Sequence, residues 1–181
     1  LTESEPMARH TSFRVGGSAR LYGVFADPER VIALVQAAEA QSVPWFVYGG
    51  GSNLLVADEG YEGLVIQMAN RAFRIEGTHV YAESGLITGL LARKTVEAGL
   101  TGFEWAIGVP GTVGGAIYGN AGCYGGELKD HLVSVDAYCV ADRKRVQLDR
   151  AACQFAYRES FFKHERHLLF SCEMELAPSP D

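Results

Sequence analysis

Long apolar runs are missing from this chain of 181 residues. None approaches the ~18 residues that a membrane-spanning helix needs, and no basic segment followed by an apolar core opens the sequence. Basic runs are missing too. Lys and Arg number 16 against 22 Asp and Glu, a net charge of −6, so the footprint of a general nucleic-acid binder is lacking. Cysteine is sparse: Cys123, Cys139, Cys153 and Cys172 are widely spaced, which excludes a zinc knuckle or a thioredoxin-type pair. Cys139 and Cys172 lie in apolar, strand-like stretches, and free buried thiols of a reducing compartment are expected. His10, His79, His131, His164 and His167 form no ligand spacing with a carboxylate pair, so no metal is expected. Repeats and low-complexity linkers are absent as well. What remains is the expectation of a soluble, cytoplasmic globular protein, 48% hydrophobic and 21% charged, of one domain or two joined lobes.

Glycine is what the chain has in excess, at 21 residues with no triplet period. Around it, secondary structure can be placed by pattern. Asp27-Pro28-Glu29 starts a helix, with an N-cap acid and Pro in the first turn, and Val31, Leu34, Val35 and Ala38 continue at helical spacing. Residues 43–48 and 63–68 read as buried strands. Residues 73–76 and 79–83 read as a hairpin around Gly77-Thr78, and 86–98 as a second helix stopped by Gly99. Further on, 133–140, 145–148 and 167–176 read as strands, and 149–155 as a short helix. Helices and strands interleave but the later strands form hairpins, so the fold class expected is α+β in two lobes, 1–68 and 69–181.

Two glycine tracts need a cause, because each glycine forfeits packing and loses much entropy on folding. Tyr48-Gly49-Gly50-Gly51-Ser52-Asn53-Leu54 offers successive backbone N–H groups, a hydroxyl and an amide, the elements of a phosphate cradle. A strained turn between strands explains it equally well. No Gly-Lys pair exists, and Leu54 stands where a G-x-G-x-x-G pattern from Gly49 needs glycine, so a P-loop and a Rossmann site are unsupported. The second tract runs Gly108-Val109-Pro110-Gly111-Thr112-Val113-Gly114-Gly115-Ala116. Pro110-Gly111 is a turn, and Thr112 is placed to cap a short helix whose N-terminus would face a diphosphate. The two tracts together favour a cofactor bearing a diphosphate.

With His10-Thr11-Ser12-Phe13-Arg14-Val15-Gly16-Gly17, Gly102-Phe103-Glu104-Trp105-Ala106-Ile107 leading into the second tract, and Tyr157-Arg158-Glu159-Ser160 ending two residues later in Phe162, the chain resembles the UDP-N-acetylenolpyruvoylglucosamine reductases. The glycine tracts alone point to the wider group of FAD domains similar to vanillyl-alcohol oxidase. The resemblance implies two lobes clasping noncovalent FAD, with both tracts on its diphosphate and ribose. It implies that NADPH supplies hydride, through FAD, to the enolpyruvyl group of a UDP-sugar in peptidoglycan precursor synthesis. Arg158 matches the catalytic arginine, Tyr157 would line the substrate pocket, and Asn120 could reach flavin or substrate. Without the resemblance, Arg158 reads as an exposed arginine paired with Glu159.

The family's proton-donating serine sits in a Gly-Ser-x-Phe-Lys segment, followed later by a glutamate, in a third domain. No such segment occurs here. The expectation is therefore an FAD-binding part lacking the substrate-binding domain, poorly active alone, with weak self-association through the face that domain would cover. Two other functions remain open: a noncatalytic flavin-binding module, and another FAD oxidoreductase of this fold, for which His10 and Cys123 are the conceivable covalent anchors.

Overall fold

The computed structural model describes residues 1–180. The chain divides into two compact units, Leu1–Asn70 and Arg71 onward.

The first unit is a four-stranded sheet built from β1 (Thr2–Pro6), β2 (Ser18–Phe25), β3 (Trp45–Tyr48) and β4 (Tyr61–Met68), in the order β1-β2-β4-β3. β1 pairs antiparallel to β2, while β2 and β3 both run parallel to β4. β2 and β3 flank β4 on either side, and α1 (Pro28–Ala40) connects them in sequence. Its start follows the sequence: Pro28 is in the first turn and the Asp27 side chain accepts from the Glu29 N–H at 3.0 Å. Val31, Ile32, Val35 and Ala38 form its buried face. Beneath the sheet's glycine-loop end lies a small cluster of Met7, Ala19, Tyr22, Tyr48 and Val65. The opening strand β1 carries no apolar alternation, Thr-Glu-Ser-Glu-Pro, so the pattern gave no sign of it.

The second unit opens with the hairpin β5 (Phe73–Glu76) and β6 (His79–Glu83), turning at Gly77-Thr78. Then follow α2 (Thr88–Glu97), a two-residue strand β7 (Leu100–Thr101), a 3₁₀ turn at Glu104–Gly108, and α3 (Val113–Tyr118). The short pair β8 (Gly122–Cys123) and β9 (Gly126–Glu127) precedes the long strands β10 (Leu132–Cys139), β11 (Lys144–Asp149) and β12 (His167–Glu175). β13 (Ala177–Pro178) closes against β7. The five-stranded sheet is antiparallel throughout, ordered β11-β10-β12-β6-β5. The apolar core of this unit includes Leu91, Phe103, Ile117, Leu128, Val135 and Met174, all almost fully buried. Each such side chain contributes about 1.5–3 kcal/mol relative to exposure.

The helix expected at 149–155 is not formed. Asp149 Oδ1 accepts from the Ala152 N–H and the Asp149 carbonyl from Cys153, but Gln154 turns to φ +47 and ends the coil after a single turn. All four cysteines are free; Cys153 and Cys172 are buried, while Cys123 and Cys139 are half-buried. Among the described residues no helix is long and apolar enough to cross a membrane, and no cluster of His, Cys, Asp and Glu could hold a metal ion.

Candidate functional site

In the first unit, the glycine loop leaves β3 at Tyr48. The Tyr48 ring points inward and its hydroxyl lies 3.2 Å from that of Tyr22, so only its backbone belongs to the loop surface. Burial pushes both phenols above their ordinary pKa. Gly51 has φ +66, and a Cβ there would sit 2.2 Å from the His10 carbonyl oxygen, which is why glycine is required. The loop is sutured at two carbonyls: Gly49 accepts from Gln67 Nε2 at 3.0 Å, and Gly51 from the Ser12 N–H at 3.0 Å. Ser52 is half-buried and Asn53 exposed, while Leu54 packs on the small cluster. A cavity of about 560 Å³ opens beside Gly50, lined by Arg9, His10, Thr11, Ser12, Arg14 and Gln67. Thr11 is buried, and its hydroxyl has no partner.

In the second unit, the tract crosses from the 3₁₀ turn into α3. Gly108 and Pro110 are exposed and Val109 half-buried. Gly111 has φ +104, and its carbonyl accepts from the Thr88 N–H. The expected cap does not form: Thr112 occupies the N-cap position, but its hydroxyl makes no capping bond. The first amides of α3 are taken as well, Val113 by the Leu86 carbonyl and Gly114 by that of Ser84, at 2.9 and 2.8 Å. These bonds stitch α3 to residues 84–88 and remove it as a simple helix-end phosphate site. Gly114 permits the stitch, since a Cβ there would lie 2.8 Å from Ser84 Cβ. Gly115 is exposed, and Ala116 faces the core. What the tract leaves open is a pair of buried, unpartnered hydroxyls, Thr112 and Thr88.

Arg158 is exposed at φ +54, two residues beyond an Ala156 whose carbonyl accepts from Asn120 Nδ2 at 2.9 Å. Its guanidinium donates to the Gly122 carbonyl at 2.8 Å and lies 5.6 Å from the Tyr157 ring centroid. Glu159 faces His164 instead, at 3.4 Å. Among the described residues no carboxylate lies within ion-pair distance of Arg158. Asn120 is fully buried at φ +40; its amide also reaches Glu127 Oε2 at 3.2 Å and accepts from the Lys129 N–H. It therefore ties residues 127–129 and the arginine loop to the end of the glycine tract. Ser160, also buried, donates its hydroxyl to the Tyr118 carbonyl at 2.7 Å and anchors the same loop from its other side. Tyr157 is 79% exposed.

The sequence reading passed over Tyr22, Gln67, Thr11 and Thr88 as site residues. Gln67 had a visible signal, a lone amide inside the apolar run Leu-Val-Ile-Gln-Met of β4. Thr88 had none. His10 offers no free nitrogen for a covalent flavin link: Nε2 faces Glu5 Oε1 at 2.9 Å and Nδ1 the Tyr22 hydroxyl at 3.1 Å.

Residues 20–149 match the model of the FAD-binding domain family, and the chain belongs to that family. Within it, the sequence is similar to the UDP-N-acetylenolpyruvoylglucosamine reductases, the group its motifs resemble. It is 38% identical to the reductase of Agathobacter rectalis over 99% of this chain and 61% of that one. It is 40% identical to that of Chloroflexus aurantiacus over 92% of this chain and 57% of that one. The chain thus spans about three-fifths of the length of these relatives. The crystal structure of the Thermus caldophilus reductase superposes with a TM-score of 0.84 at 29% identity, covering 99% of this chain and 64% of that one. A solvent-stable cholesterol oxidase, at 16% identity and a TM-score of 0.70 over 97% of this chain and 37% of its own, shares the fold alone. The fold is the α+β FAD domain of the vanillyl-alcohol oxidase type, and the residues present fit FAD. Thr11, Thr88 and Thr112 carry buried hydroxyls without internal partners, beside the two glycine tracts. Such orphans are costly unless a ligand satisfies them.

Proposed function

We propose that these residues are the FAD-binding part of a cytoplasmic enzyme that uses NADPH to reduce the enolpyruvyl group of UDP-N-acetylglucosamine enolpyruvate, giving UDP-N-acetylmuramate for peptidoglycan. FAD, when bound, supplies the hydride transfer from NADPH to the enolpyruvyl double bond. The chain supplies binding and electrostatics. Gly49, Gly50, Gly51, Ser52 and Asn53 with Thr11 would hold one part of the cofactor, and the tract from Gly108 to Gly115 with Thr88 and Thr112 another.

The observation that carries the reading is the state of Arg158. Among the described residues no carboxylate contacts it, Glu127 acting on it only at longer range, and a single bond to a neutral carbonyl aims it while leaving most of its five donors open. Hydride addition drives negative charge toward the substrate carboxylate, and a bidentate guanidinium binds that carboxylate more strongly as the charge develops. Tyr157 stacks beside it and would flank the same substrate. Asn120 contributes by holding the arginine loop, not by touching ligand. The completing proton is assigned to none of these residues, since the segment that donates it in the family is not among the 181. Loss of a general acid costs ~10²–10⁴ in rate, so the chain alone turns over poorly. Exposed Ile107, Tyr118, Tyr124 and Tyr157 favour weak self-association.

The test is anaerobic. Adding NADPH to the flavin-loaded chain should bleach the flavin band. In the full-length enzyme, UDP-linked enolpyruvyl substrate should restore the band, and Arg158→Lys should slow that second step about 10²–10³-fold while leaving the first intact. Flavin that binds but never bleaches would favour the noncatalytic binding module.

A further inference from the structure

The first glycine loop is oriented from inside the protein. Gln67 donates Nε2–H to the Gly49 carbonyl at 3.0 Å and accepts the Tyr22 hydroxyl proton on Oε1 at 2.9 Å. The amide cannot be turned over, because the Gly49 carbonyl can only accept. Tyr22 is fixed in turn: its oxygen lies 3.1 Å from His10 Nδ1 and its ring stacks on His10 at a centroid distance of 4.2 Å. In a trans peptide the C=O and N–H point in opposite directions. Holding the Gly49 carbonyl on Gln67 therefore turns the Gly50 N–H away from the protein interior. The Ser12 bond to the Gly51 carbonyl fixes the Gly51–Ser52 peptide plane as well. Among the described residues neither the Gly50 nor the Ser52 N–H has a partner within the chain.

We propose that Gln67, held by Tyr22, is a positioning residue that presets the Gly49–Gly50 peptide plane so that loop amides meet a phosphate of the dinucleotide. The inference rests on the reading that this ligand is FAD. A side chain of similar size that only filled space would not orient the plane.

The experiment measures FAD dissociation constants of the wild-type, Gln67→Met and Gln67→Glu chains by flavin fluorescence, at about pH 4 and about pH 8, on either side of the ordinary glutamate pKa of about 4.3. Met keeps the bulk and removes the donor, so its affinity should fall about tenfold at both pH values. Glu at the higher pH cannot donate, and its affinity should fall at least as far. At the lower pH its protonated carboxyl regains an O–H toward Gly49 and an acceptor toward Tyr22, and its affinity should approach that of wild type. Glu5, His10, Tyr22, Tyr48, Arg9 and Arg14 surround this position in every variant, so each is referred to wild type at the same pH. Wild-type affinity in Gln67→Met, or a Gln67→Glu defect independent of pH, overturns the proposal. Should Gln67→Met fail to fold, as a thermal melt would show, the two Gln67→Glu measurements still decide. Wild-type chain that binds no FAD overturns the underlying reading and the proposal together.

Discussion

Single residues decide most of what this chain can do. Gly51 is the clearest case, with φ +66 and no room for a methyl group against the His10 carbonyl. Gly51→Ala should lower the stability of the first unit by more than about 1 kcal/mol and weaken FAD binding, measured by denaturation and flavin titration. The thiols make a second prediction. Burial pushes the Cys153 thiol up to about 11 and that of Cys172 up to about 12, from an ordinary value of 9.0. Both should resist alkylation in the native chain at neutral pH and react once it is unfolded. The native state holds these protons to higher pH than the unfolded chain does. Their contribution to stability is therefore complete below about pH 9 and lost as pH rises through about 11 and 12. Burial of Tyr22 and Tyr48 acts with the same sign in the first unit. Denaturation curves that stay unchanged across this range would contradict the argument.

At the scale of elements, local signals succeeded where they stood alone. Asp27 and Pro28 announced α1, and Asp27→Ala should cost about 1 kcal/mol by removing its cap. The Gly77-Thr78 turn announced the β5–β6 hairpin to the residue. Signals failed where tertiary contacts outweighed them. Asp149 began a turn that resembles a helix start, but Gln154 left the helical region and Phe161 took the Cys153 carbonyl. Thr112 stood where a cap belongs, yet the α3 amides went to Leu86 and Ser84, partners distant in sequence. The glycine tracts stood out because their composition is unusual, whereas Arg158 was singled out only through the family resemblance. Thr88 and Tyr22 gave no such signal, since an ordinary residue joins a candidate site only through what folding brings beside it.

For the molecule as a whole, the two units each present a glycine tract with buried hydroxyls that lack internal partners, and the chain belongs to the FAD-binding domain family. It spans about three-fifths of the reductases it matches. Cofactor binding is thus the property these residues should show by themselves. The most direct test is equilibrium dialysis of the purified chain against FAD, followed by an absorbance spectrum. The account predicts a flavin spectrum shifted from that of free FAD, saturating at one FAD per chain and released on acid precipitation. No retained flavin at saturating FAD, with the chain folded by circular dichroism, would contradict it.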